Sequence, residues 1–183
     1  MTDSQVLSVR NLDTRFQTQA GEVRAVDDVS FDLQKGEILG LVGESGSGKS
    51  VTGFSIMGLI DEPGKIHGGQ IRFKGEDLIN AGDKRYNRLR GREIAMIFQD
   101  PMMTLNPLLR IDTQMIEAIL AHEAVSRESA RQRAREALGM VGISSPDERL
   151  RAYPHQFSGG MRQRVVIAIS MLHAPDIIIA DEP

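Results

Sequence analysis

The sequence predicts an α/β protein built around a phosphate-binding strand, loop and helix, with an antiparallel β region before it and a helical region after it. Three observations carry this. The apolar run Ile38 to Val42 leads into Gly43-Glu44-Ser45-Gly46-Ser47-Gly48-Lys49-Ser50, which fits GxxxxGK[ST] and opens a segment of helical spacing. Ahead of it, Val29, Phe31 and Leu33 alternate with Ser30, Asp32 and Gln34, the period of a half-buried strand. Beyond Ile111 the apolar period changes from that of a strand to that of a helix.

Taken in order, Val6 to Leu12 reads as a strand like Val29 to Leu33, so the amino-terminal part is expected to be antiparallel β. Ile38 to Val42 is expected to be a buried strand and Lys49 to Leu59 a helix, the first half of a βαβ unit. Ile94 to Phe98 is a second buried strand, stopped by Asp100-Pro101 because proline cannot donate to a ladder. Ile111, Met115, Ile116 and Ile119 share one helical face. Ala130, Ala134, Ala137, Leu138 and Val141 form a second stripe, stopped by the cap residue Gly142. A last helix is expected from Gly160 to His173, ended by Pro175, before Ile177 to Ala180 returns as a buried strand.

Composition narrows the function. With 183 residues, 40% hydrophobic and 26% charged, the chain can bury a core of its own. A net charge of -3 provides no broad basic field, so nucleic acid is not an expected partner and any phosphate must be bound locally. The absence of cysteine excludes disulfides, thiolate metal sites and a cysteine nucleophile, and fits a reducing cytosol. The polar start carries no secretory signal. The longest apolar runs fall well short of the roughly 20 residues that span a bilayer, so work at a membrane requires another chain to cross it.

In the phosphate loop, glycines let backbone N–H groups turn toward phosphate oxygens, Lys49 supplies charge at the β and γ phosphates, and the Ser50 hydroxyl can ligate magnesium. Ser158 is a suitable N-cap, and Gly159 and Gly160 expose the first N–H groups of the helix that follows, a second anion-facing element. Asp181 and Glu182 stand at the exit of a buried strand, where Asp181 can hold magnesium through water and Glu182 can orient or deprotonate an attacking water. Gln99 closes the strand from Ile94 and can reach magnesium or that water. Phe16 lies in a polar stretch and could stack on adenine, with core packing as its competitor. Arg88, Arg90 and Arg92 read as a solvated face, and His67, His122, His155 and His173 as surface or helix-end residues.

These motifs together resemble the nucleotide-binding subunits of ABC transporters. GESGSGKS is similar to their Walker A, Gln99 to their Q-loop, FSGGM to their signature and IIIADE to their Walker B. The wording IFQDPMMTLNP and YPHQFSGGMRQR is similar to the oligopeptide, dipeptide and nickel import branch. The resemblance implies a P-loop NTPase core with an antiparallel β subdomain and a helical subdomain that carries the signature. Residues 1–183 would form one incomplete ATP-binding domain: 1–100 the β subdomain and Walker A core, 101–160 the helical subdomain, 161–183 the signature helix and Walker B strand. The implied ligands are ATP and magnesium. Phe16, Gly43, Glu44, Ser45, Gly46, Ser47, Gly48, Lys49, Ser50, Val51, Ser158, Gly159 and Gly160 would meet the nucleotide. Ser50, Gln99 and Asp181 would serve the metal, and Glu182 with Gln99 the chemistry.

The resemblance also implies partners. Two such subunits would sandwich ATP, with Ser158 and Gly160 touching the γ-phosphate held by the other. Gln99 and the loop from Asp100 to Pro107 would face transmembrane permease subunits at the cytoplasmic side of the plasma membrane, with a solute-binding protein engaged indirectly. The family's D-loop and switch histidine come later than Pro183, and its next strand lies between the Walker A and Walker B strands. The chain is therefore expected to be the amino-terminal part of a longer subunit, with unpaired edges in its central sheet and weak ATP turnover by itself. Two other readings stay open: a soluble ABC ATPase acting on DNA or ribosomes, and a nucleotide-binding fragment without catalysis. The short span from Gln99 to Ser158, without sustained heptads, favours transport over the first of these.

Overall fold

The structure, a computed structural model, describes residues 4–100 and 104–182. These fall into two compact units, Met1–Asn87 and Arg88–Pro183.

In the first unit, β1 (Gln5–Thr18) and β2 (Gly21–Gln34) form an antiparallel hairpin. β3 (Gly64–Phe73) pairs with the other edge of β1, and the short β4 (Glu76–Asp77) closes the order β2-β1-β3-β4. The buried residues of β1 are Leu7, Val9, Leu12 and Thr14, so the alternation slips by one between Val9 and Leu12. A register shift lies there: Asn11 takes φ 47, a left-handed value that asparagine tolerates, and its amide donates to Asp28 Oδ1 at 2.6 Å. Without that extra residue, Leu12 and Thr14 would turn to the opposite face. The helix α1 (Lys49–Met57) buries Thr52, Ser55, Ile56 and Met57, and Thr14 and Ser55 share a buried hydroxyl hydrogen bond of 2.9 Å. It ends at Met57 rather than Leu59, because Gly58 adopts a left-handed cap. The helix α2 (Gly82–Leu89) follows β4.

One expectation is overturned in this unit. Ile38 to Val42 forms no strand, and Ile38 and Val42 are 97% and 94% exposed. Its composition is that of a strand flanked on both sides, and among the described residues no ladder includes it. Backbone donors and acceptors without partners stay in water, and the apolar side chains stay out with them.

In the second unit, β5 (Ile94–Ile97) is buried at all four positions and pairs in parallel with β6 (Ile177–Ala180), Ile94 opposite Ile177 and Ile97 opposite Ala180. Between them lie α3 (Ile111–Leu120), α4 (Arg127–Met140), α5 (Pro146–Leu150), a 3₁₀ turn at Pro154–Gln156 and α6 (Gly159–Met171). The expected stripes form the core: Ile111, Met115, Ile116 and Ile119 from α3 meet Ala130, Ala134, Ala137 and Leu138 from α4, with Val165, Val166 and Ala168 from α6. Small alanines on α4 allow close helix approach. Among the described residues no helix is long and apolar enough to cross a membrane.

Glu123, between α3 and α4, accepts from both Nη atoms of Arg133 and from His173. Those hydrogen bonds, Arg133 first, lower its carboxyl from 4.5 to about 2. A depressed carboxylate stabilises the fold above its ordinary value and loses that contribution as pH falls toward the folded value. Glu123→Gln is therefore expected to lower stability at neutral pH, with the difference from wild type shrinking as pH falls from 4.5 to about 2. Urea melts across that range check it.

Candidate functional site

The phosphate loop folds around its own lysine. Lys49 Nζ donates to the carbonyls of Gly43 and Glu44, each at 2.9 Å, and Ser47 N–H closes a turn on Glu44 at 3.2 Å. Gly48 caps α1 at φ 91, and a Cβ there would stand 2.1 Å from the Ala25 carbonyl oxygen, so only glycine brings β2 this close. At Gly43 a Cβ would lie 2.4 Å from Ser47 Oγ. The first turn of α1, with Ser50 and Val51, has no side-chain cap and no acidic residue. Its positive end is thus left for an anion.

Phe16 sits at the far end of β1, half-buried, opposite Gly64 of β3. A Cβ on Gly64 would lie 2.4 Å from Phe16 Cε1 and 2.9 Å from Ile60 Cγ2. The Cδ1–Cε1 edge of the ring is thus seated on backbone while part of the ring stays open. Gly64 was invisible as a seat in the sequence, because nothing there pairs it with Phe16.

In the second unit the parallel register brings together residues 83 positions apart. Pairing of Ile97 with Ala180, extended by Asp181 N–H donating to the Ile97 carbonyl at 2.9 Å, places the chain beyond each strand side by side. Gln99 Nε2 then donates to Glu182 Oε2. Glu182 is exposed and holds φ 47, a left-handed conformation that a glutamate rarely adopts. Asp181 is half-buried in the same turn.

Ser158 caps α6 as expected, accepting from Met161 N–H at 3.4 Å, and the helix starts one residue earlier than the sequence suggested. Ser158, Gly159 and Gly160 are all exposed, and a Cβ on either glycine would meet nothing within 4 Å. The turn is held from below: Phe157 is buried, Arg162 Nε donates to the Pro154 carbonyl at 2.8 Å, and Arg164 Nη1 to the Gly142 carbonyl at 2.8 Å. The sequence reading passed over these two arginines. Their spacing just inside the helix was the available signal, since guanidinium forks there can reach back to loop carbonyls.

The phosphate loop and Phe16 thus belong to the first unit, and Gln99, Asp181, Glu182 and Ser158 to Gly160 to the second. Pro101, Met102 and Met103 of the expected membrane-facing loop lie outside the described residues.

A glycine loop closed on a lysine at the start of a helix, with a carboxylate turn leaving a parallel strand, defines a P-loop α/β fold. The ABC transporter family model matches residues 26–183, and the chain belongs to that family. It is 54% identical over 179 residues to the dipeptide transport ATP-binding protein DppD of Bacillus subtilis, covering 97% of this chain and 53% of that protein. To the oligopeptide transport ATP-binding protein OppD of the same organism it is 50% identical, covering 98% of this chain and 51% of the relative. DppD of Escherichia coli is 47% identical, covering 97% and 54%. The chain spans about half the length of the curated relatives it matches.

Among solved structures, a dimeric post-hydrolysis state of the ATP-binding cassette MJ0796, bound to ADP and Pi, superposes with a TM-score of 0.82 at 29% identity, over 96% of this chain and 73% of that one. The cbiO1 subunit of Clostridium perfringens gives 0.77 at 25% identity, over 99% of this chain and 66% of that one.

Proposed function

We propose that this chain is the nucleotide-binding part of an ATPase subunit that energises import of peptides or similar small solutes. The observation that carries it is a pair of helix starts opened by glycine: Gly48 at φ 91 against the Ala25 carbonyl before α1, and the exposed Gly159 and Gly160 at the start of α6. The relatives named for dipeptide and oligopeptide transport support the solute class. In this reading Lys49 and the N–H groups of Gly43 to Val51 hold the phosphates, Phe16 bears on adenine, and Ser158 to Gly160 meet the γ-phosphate held by a second ATP-binding subunit. Permease subunits at the cytoplasmic face of the membrane complete the assembly, with a solute-binding protein delivering its cargo to them.

By donor type alone, the Ser50 hydroxyl of the first unit and, in the second, the Gln99 amide and the Asp181 carboxylate suit magnesium, each offering a hard oxygen. Among the described residues no group of three or more His, Cys, Asp or Glu side chains could hold a metal ion. Magnesium would supply charge neutralisation at the β and γ phosphates. Glu182, oriented by Gln99, takes a proton from the attacking water.

Gly160→Ala tests the reading. The methyl group enters open space, so the variant is expected to melt no lower than wild type. It also adds bulk to the surface that a second subunit would approach in this reading, and ATP-dependent pairing is expected to weaken about 10-fold, a loss of about 1.4 kcal/mol. Calorimetry and sedimentation in MgATP read the two effects; undiminished pairing would sink the proposal.

The exposed Ile38 to Val42 segment favours a second reading, that these 183 residues by themselves bind nucleotide with little turnover. Robust hydrolysis by the 183-residue chain, abolished by Glu182→Gln, would overturn it.

A further inference from the structure

A cluster of paired polar groups surrounds one buried ring at the carboxyl end of α6. His173 follows α6 with its side chain 4% exposed, a helix-end residue as expected but not a surface one. Its Nδ1 is 2.8 Å from Glu123 Oε1 and its Nε2 is 3.1 Å from the Ala118 carbonyl oxygen. A carboxylate and a carbonyl have no hydrogen to give, so both contacts require N–H on the ring.

The surroundings suit a ring that donates. Glu123 faces it directly, and the carbonyl ends of α3 and α6 converge there, each the negative end of a helix dipole. Arg133 of α4 binds Glu123 and donates onward to the Leu172 carbonyl at 2.8 Å, with Glu136 adding a favourable charge to Arg133. The His122 ring stands edge-on at 5.0 Å, bonded to the Arg90 carbonyl. Burial, then the charges of His173 and Arg92, hold His122 below its ordinary value.

We infer that His173, acting with Glu123 and Arg133, is a positioning residue for the signature turn: it fastens the carboxyl end of α6 to α3 and α4. Arg162 and Arg164 hold the amino end, and two attachment points fix a direction. α6 has 13 residues, so it is about 20 Å long, and a tilt of about 10° about one end moves the other by about 3 Å. That displacement is enough to take the N–H groups of Gly159 and Gly160 out of hydrogen-bond reach of a phosphate. The inference rests on the reading that this turn faces a phosphate.

The test uses the full-length protein assembled with its partner subunits. His173→Gln removes the ring while keeping a side-chain donor, and Glu123→Gln removes the facing carboxylate. For each, kcat is expected to fall about 10-fold with KM for ATP unchanged, because the phosphate loop that binds the nucleotide is untouched while the turn is misplaced. Amide exchange from Gly159 to Arg162 is expected to quicken about 10-fold while that from Leu7 to Val9 stays as in wild type, and the double variant to match the singles. Unchanged exchange at the turn, or exchange raised equally throughout the protein, would overturn the inference. Unchanged turnover in Ser158→Ala would instead remove the phosphate-facing reading, with the latch still read from exchange.

Discussion

Glu182→Gln in the assembled, full-length protein is expected to lower ATP hydrolysis about 10³-fold, within the range that a positioned general base supplies, while leaving nucleotide binding intact. The substitution keeps the shape of the side chain and removes its capacity to take a proton. The partner survives as well: Gln99 can still hydrogen-bond an amide oxygen where it now meets a carboxylate. A non-glycine residue held at φ 47 at the end of a parallel strand retains a conformation that folding does not favour, as catalytic positions often do. Phosphate release measured beside equilibrium ATP binding separates the two quantities. Turnover within a factor of a few of wild type would remove Glu182 from the chemistry and leave the Gln99 contact without a catalytic purpose.

Lys49→Ala is expected to weaken ATP binding about 100-fold, close to 2.7 kcal/mol, because a compact cation facing phosphates is removed. The same change deletes two hydrogen bonds to the Gly43 and Glu44 carbonyls, worth about 1 kcal/mol each, so the loop loosens before any nucleotide arrives. Lys49→Arg discriminates between charge and shape. The guanidinium keeps the charge but is too broad and flat for a loop closed on a single nitrogen, and it is expected not to restore binding. Titration calorimetry with ATP and with inorganic phosphate reads the loss, and full recovery by arginine would show that charge alone suffices.

Local chemistry was legible wherever neighbours in sequence are also neighbours in space. The phosphate loop, the Ser158 cap and the helical stripes of α3 and α4 follow from spacing over fewer than about 10 residues, the range in which backbone geometry decides contacts. The pairing of Gln99 with Glu182 was legible only as two strand ends, because the register that unites them is a property of the sheet. The seat of Phe16 on Gly64 and the bonds of His173 were not legible, since each joins segments that only tertiary packing brings together. Ile38 to Val42 misled for the opposite reason. Its sequence states a preference for burial between strands, and preference becomes structure only when the flanking strands are there.

While it stands unpaired, that segment is also a place where other chains can attach. Ile38-Leu39-Gly40-Leu41-Val42 holds no charge and no proline, and its backbone groups can pair with any extended peptide that arrives. Chaperones that hold extended apolar peptides, proteases that cleave them and identical copies of the chain all compete for the same few residues. Pairing of this run into a sheet would close it to all three at once.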